Sequence, residues 1–133
     1  MLIATKPRII LDPYQWMPSY GENAIRYSFS DLTLSLILVF DTDIGVKEKE
    51  IVFYGVRWFK HSSFPTPELV KINYIDDKDV MASGCLVEFL DSDAGQLFNK
   101  HYKKKFNLKH FVWIFLSENI RFEIICEEFK ILN

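Results

Sequence analysis

The sequence is short of the residues that most often announce chemistry. Its two cysteines, Cys85 and Cys126, stand far apart and outside any CxxC pair, which argues against a disulfide framework and for two reduced thiols. Its five glycines form neither a GxGxxG nor a GxxxxGK pattern, so no phosphate-cradling loop is present. His61, His101 and His110 show no HxH or HxxxH spacing, and the two serines after His61 lack a GxSxG elbow. Charge of one sign is also lacking. Sixteen Lys and Arg against eighteen Asp and Glu give a net charge of −2, with no global attraction to nucleic acid or anionic membrane. The longest apolar runs, around Leu32–Phe40 and Phe111–Leu116, fall well short of the roughly 20 residues that span a bilayer. No basic segment leads into an apolar run at the N-terminus. We therefore expect a cytoplasmic protein without membrane contact. With no repeat, low-complexity tract or linker, residues 1–133 read as a single domain.

Aromatic residues, by contrast, are plentiful. Twelve Phe, six Tyr and three Trp favour strands and large buried areas. Phe111–Leu116 is apolar without a gap, as in a strand covered on both faces, and Ser117-Glu118-Asn119 is a turn. From Ile120 the pattern alternates: Ile120, Phe122, Ile124 and Cys126 on one face, Arg121, Glu123 and Glu127 on the other. The phase then flips to Phe129 and Ile131, which we read as a β-bulge near Glu127 within a C-terminal β-hairpin. Leu32, Leu34, Leu36, Leu38 and Phe40 form the strictest period-2 stripe in the chain. Ile51–Lys60 reads as one further strand with a bulge or close approach at Gly55, and with Arg57 at a sheet edge or paired with a carboxylate. Shorter strands are expected at Arg8–Leu11, Leu69–Ile75 and Cys85–Leu90, and Tyr14, Trp16, Met17 and Tyr20 should lie across the core.

One principal helix is expected near 93–106. Asp93 as N-cap with Gln96 three residues later resembles a capping box. Leu97, Phe98, His101, Tyr102 and Phe106 would form the packed stripe, lysines would occupy the last turn, and Asn107 would cap the end. The fold class is thus α+β: a mainly antiparallel sheet of about five to seven strands with one helix on one face.

No residue set in this pattern points to catalysis, so no enzyme activity, cofactor or metal is expected. Two charged stretches point to binding instead. Asp76, Asp77, Asp79, Glu88, Asp91 and Asp93 would give an acidic surface suited to a basic protein partner. Lys100, Lys103, Lys104, Lys105 and Lys109, interleaved with Tyr102 and Phe106, give a basic stretch whose functional reading is nucleic-acid binding. The acidic balance of the chain ranks that second, and a small-ligand or structural module third.

Gly55-Val56-Arg57-Trp58-Phe59-Lys60-His61, the run His110-Phe111-Val112-Trp113-Ile114-Phe115 and the strand Phe122–Glu127 together resemble small bacterial immunity proteins of contact-dependent inhibition and other polymorphic toxin systems. The resemblance covers about the last 80 residues and lies mostly in core positions. The chain departs from the pattern at Leu116-Ser117-Glu118, where an Asp-containing turn is expected. The resemblance implies a non-enzymatic protein that binds and neutralises a cognate toxin domain. It brings no site residues with it.

Overall fold

The computed structural model describes residues 1–63, 72–76 and 79–132. Among them, ten strands and one α-helix build two sheets, so the coarse α+β expectation fits a chain that is mostly β. The expected single sheet does not. Sheet A has the order β5-β9-β8-β7-β1-β6, and sheet B the order β10-β4-β3-β2. Their strands are β1 (Leu2–Leu11), β2 (Ala24–Ser30), β3 (Thr33–Thr42), β4 (Gly45–Tyr54), β5 (Trp58–Ser63), β6 (Ile72–Tyr74), β7 (Leu86–Ser92), β8 (Lys109–Phe115), β9 (Ile120–Cys126) and β10 (Glu128–Leu132), with the helix α1 (Asp93–His101) after β7. All pairings are antiparallel except β1 with β6. The edge strand expected at Leu69–Ile75 is present at Ile72–Tyr74, while residues 69–71 lie outside the described ones.

Two strands pass from one sheet to the other side by side. In sheet A, Trp58 faces Ile125; in sheet B, Tyr54 faces Glu128. Between these pairs, residues 55–57 oppose residues 126–127, so the extra residue lies on the Gly55 strand and not at Glu127. The phase flip after Cys126 is a corner between sheets, which is how strands of packed sheets change layer. Gly55 makes the bend with φ of 65°, a conformation that costs other residues more. Backbone bonds from Val56 N to Leu32 O, Arg57 N to Ile125 O and Glu127 N to Tyr54 O staple the corner. Arg57 pairs with Glu127 at 3.4 Å, the carboxylate alternative expected for it.

The stripe of β3 places Leu34, Leu36, Leu38 and Phe40 in the core between the sheets, opposite Phe111, Trp113, Phe115, Phe122 and Ile124. Leu32 does not join them. With Asp31 it forms the two-residue turn between β2 and β3, both at positive φ, and it is half exposed. Phe53, Phe111 and Phe129 meet at 5.8–6.0 Å between ring centres and bring β4, β8 and β10 together. Met17 is buried in this core with Tyr14 and Trp16 packed against it, whereas Tyr20 is exposed.

The other face of sheet A is covered too. Val87, Phe89, Val112, Ile114 and Ile125 form a second apolar cluster with Ala94 of α1 and Leu108. The helix is shorter than expected because its end is tied back: Asn99 Nδ2 donates to Leu108 O at 3.1 Å and Asn99 Oδ1 accepts from Leu108 N at 2.8 Å. Lys103 and Lys104 turn the chain at φ of 55° and 58°, and Tyr102, not Asn107, is the C-cap. At the start, Ser92 is the N-cap and accepts from Gly95 N at 3.0 Å, while Asp93 reaches Ile3 N at 2.8 Å. The buried side of α1 is Ala94 and Phe98, with Tyr102 and Phe106 beyond; Leu97 and His101 are exposed.

Candidate functional site

The polar residues of the second face converge beneath α1. Ser92 Oγ lies 2.7 Å from His110 Nδ1, His110 Nε2 lies 3.0 Å from the Tyr74 hydroxyl, and that hydroxyl donates to Glu123 Oε1 at 2.5 Å. Glu123 Oε2 is 3.9 Å from both Lys60 Nζ and Arg121 Nε. Each member owes its place to the sheet. Ser92 ends β7, His110 sits on β8 opposite Phe89, and Arg121 and Glu123 occupy one face of β9 two residues apart.

Tyr74 comes from β6, four strand positions from β9. A flat sheet would separate those strands by about 19 Å at 4.8 Å per step. A tyrosine cannot reach that far, so sheet A curls and the polar chain crosses its concave side.

Ser92 Oγ already accepts from Gly95 N, so its own proton points to Nδ1. The Tyr74 proton goes to Glu123, so its oxygen accepts from Nε2. Donation therefore runs Ser92, His110, Tyr74, Glu123, and His110 is the Nε2–H tautomer. Burial lowers His110 to about 4, which keeps the imidazole neutral, and burial followed by the Glu123 charge pushes the Tyr74 hydroxyl far up. At its Glu123 end the chain meets an apolar pocket of about 250 Å³ between Leu2, Trp58, Ile72, Phe98 and Ile125.

Sequence reasoning missed this cluster. The signal was Ile125, an apolar residue on the same face of β9 as Arg121 and Glu123. A solvated face would have little use for it.

The expected acidic surface is only partly assembled. Asp76 accepts from Val80 N and Met81 N, both at 2.8 Å, and Asp93 holds Ile3 N. Glu88 pairs with Arg8 at 3.2 Å, and Asp91 accepts from Gln96 Nε2 at 3.4 Å. Asp79 is exposed at φ of 52°, and Asp77 lies outside the described residues.

The lysine stretch is different. Lys100, Lys104 and Lys105 line an open trough of about 790 Å³ with Gln96, Phe106 and Asn107. Lys103 is exposed beside it, and Lys109 sits half-buried on β8 opposite Cys126. Beneath the trough, the Arg57 guanidinium lies 4.5 Å from the Phe106 ring centre and 5.2 Å from that of Tyr102.

The histidines have separate surroundings: His61 stacks on Phe122 at 4.9 Å, His101 packs edge-on to Tyr102, and His110 is in the polar chain. Both cysteines are free and buried. At the other end of the sandwich Glu22 is 6% exposed, its Oε2 accepts no hydrogen bond, and burial lifts its carboxyl to about 7.

Fold and site together define a two-sheet α+β protein with a braced helix and a lysine-lined surface; no described helix is long and apolar enough to cross a membrane. No family model, curated protein or solved structure matches the chain.

Proposed function

We propose that the chain is a non-enzymatic binding protein that neutralises a cognate bacterial toxin domain by stoichiometric contact. The observation that carries this reading is the closure of the Ser92–His110–Tyr74–Glu123 chain. Hydroxyl and imidazole groups of the kind nucleophilic catalysis uses are bonded end to end and covered, with Ser92 6% and His110 1% exposed. A serine whose oxygen accepts from a helix amide and whose proton is given to a buried imidazole braces the helix against the sheet. It is poorly placed to attack a substrate. The resemblance carried by the β5, β8 and β9 segments points the same way. On this reading the rigid sandwich is a platform, and function lies on its surface.

The test is co-expression with the product of the adjacent upstream gene, followed by co-purification and titration of that product's activity. The reading predicts a 1:1 complex and loss of toxicity at equimolar protein. A neighbouring product that is not toxic, or whose activity persists at equimolar protein, overturns it.

A further inference from the structure

We infer that the lysine trough at the end of α1 is the docking site for an acidic polypeptide segment of the partner. This inference rests on the protein-binding reading and gives that partner its chemistry. The first observation is where the unengaged positive charge lies. Among the described residues Arg8, Arg26, Arg57, Lys60, Arg121 and Lys130 form ion pairs; Lys6, Lys47, Lys49 and Lys109 form none, and neither do Lys100, Lys103, Lys104 and Lys105, which are grouped within a single helix end. The carboxylates expected to meet a basic partner are, in contrast, largely occupied by backbone amides and by Arg8.

The second observation is that the backbone carrying the lysines is fixed. Lys103 and Lys104 both adopt a left-handed backbone that side-chain-bearing residues rarely take, fixed by bonds from Lys103 N to Lys100 O, Lys104 N to Asn99 O and Lys105 N to Tyr102 O. Asn99 clamps the same loop to Leu108, and Phe106 rests on the guanidinium of Arg57. A loop needed only to end a helix could use one glycine there. This one instead sets Lys100, Lys104 and Lys105 along a surface with no carboxylate among its described lining residues, and Lys103 exposed beside it.

The third observation selects the class of partner. Phe106 is the one aromatic residue among the described lining of the trough, and its ring is engaged by Arg57 and Tyr102, which leaves less of it for stacking on bases. Beyond Asn107 it meets Glu127 and Glu128, which would repel a continuing phosphate backbone. A short acidic segment ends before that barrier, and lysines bind its carboxylates as point charges.

The experiment uses the full chain and a fluorescein-labelled hexaglutamate peptide, read by anisotropy at about 25 mM salt, with a labelled oligothymidylate in parallel. The peptide should bind, and binding should fade with salt. Lys100→Ala/Lys104→Ala/Lys105→Ala should weaken it by about tenfold or more, the triple Arg variant should restore it, and Lys6→Ala/Lys47→Ala should leave it unchanged. Because the three lysines are exposed and form no ion pair among the described residues, thermal unfolding of the Ala variant should match wild type. Undetectable peptide binding, equal loss in the Lys6/Lys47 control, or tighter binding of the oligonucleotide overturns the inference. A cognate toxin that is still neutralised by the Ala variant overturns the trough while leaving the toxin reading intact. Peptide binding with no toxic neighbour does the reverse.

Discussion

Tyr74→Phe is the sharpest test of the polar chain. The substitution removes one oxygen and leaves the ring in place against Phe89 and His110, whose centres lie 5.0 and 5.4 Å away. It strands two buried groups at once: His110 Nε2–H loses its acceptor at 3.0 Å, and Glu123 Oε1 loses its donor at 2.5 Å. An unsatisfied buried group costs about 1–3 kcal/mol, more when charged. Lys60 and Arg121 remain beside Glu123 and soften that half of the loss. We expect about 3 kcal/mol in total, which for a urea slope of about 1.5–2 kcal/mol/M lowers the unfolding midpoint by about 1.5–2 M with the slope unchanged. Tryptophan fluorescence follows the transition, since Trp113 is fully buried. Tyr27→Phe is the control: the residue is 46% exposed, and the change should stay within about 0.5 kcal/mol. Combining Tyr74→Phe with Glu123→Gln should give a coupling of at least about 1 kcal/mol. A loss below about 0.5 kcal/mol, or strict additivity, would show that the chain is not a brace.

Glu22 and His110 predict opposing pH slopes. Glu22, raised from 4.5 to about 7, contributes stability that is present in full below pH 4.5 and lost as pH rises to about 7; His110, lowered from 6.5 to about 4, contributes stability that is lost as pH falls from 6.5 to about 4. The stability of wild type should therefore be nearly flat where these ranges overlap, between about pH 4.5 and 6.5, and Glu22→Gln should expose a fall on acidification together with a gain of up to about 3 kcal/mol at pH 8; a variant with the wild-type profile refutes this. Gly55→Ala places a Cβ against the Glu127 carboxylate at a φ of 65°, so it should cost about 1–2 kcal/mol by urea denaturation and break the Arg57–Glu127 pair. Cys126, fully buried and pushed up to about 12 by that burial, and Cys85, also buried and raised, should resist an aromatic disulfide reagent at pH 8 until denaturant is added; fast reaction of the native protein would contradict their burial.

Strands that alternate were legible, and so was the turn at Ser117-Glu118-Asn119, because period-2 patterning and turn residues are local signals. What escaped was non-local. Ile51–Lys60 reads as one strand because both halves are apolar; only a neighbour at Glu127 decides that Gly55 is a corner. Asp93 and Gln96 satisfy the spacing of a capping box, yet Ser92 takes the cap because β7 runs straight into α1 and Asp93 is drawn to Ile3 N of β1. His110 and Tyr74 carry no pattern at all. They meet only because sheet A curls, and the curl depends on which strands pair.

The corner also ties the fold to the binding surface. Arg57 stands in the three-residue arc that shifts β4 into β5, and its guanidinium supports the ring of Phe106 at the base of the lysine loop. Glu127 holds that guanidinium from the companion strand, which turns at the same level. The ladder shared by both sheets therefore sets the height of the loop. A change that displaces Glu127, such as Gly55→Ala, should weaken binding at the trough though it touches no lysine there. Arg57→Lys, which keeps the charge but loses the planar face against Phe106, should do the same with a smaller effect on stability. If both variants bind the acidic probe as wild type does, the trough stands on the Asn99 clamp alone and the corner serves only to join the sheets.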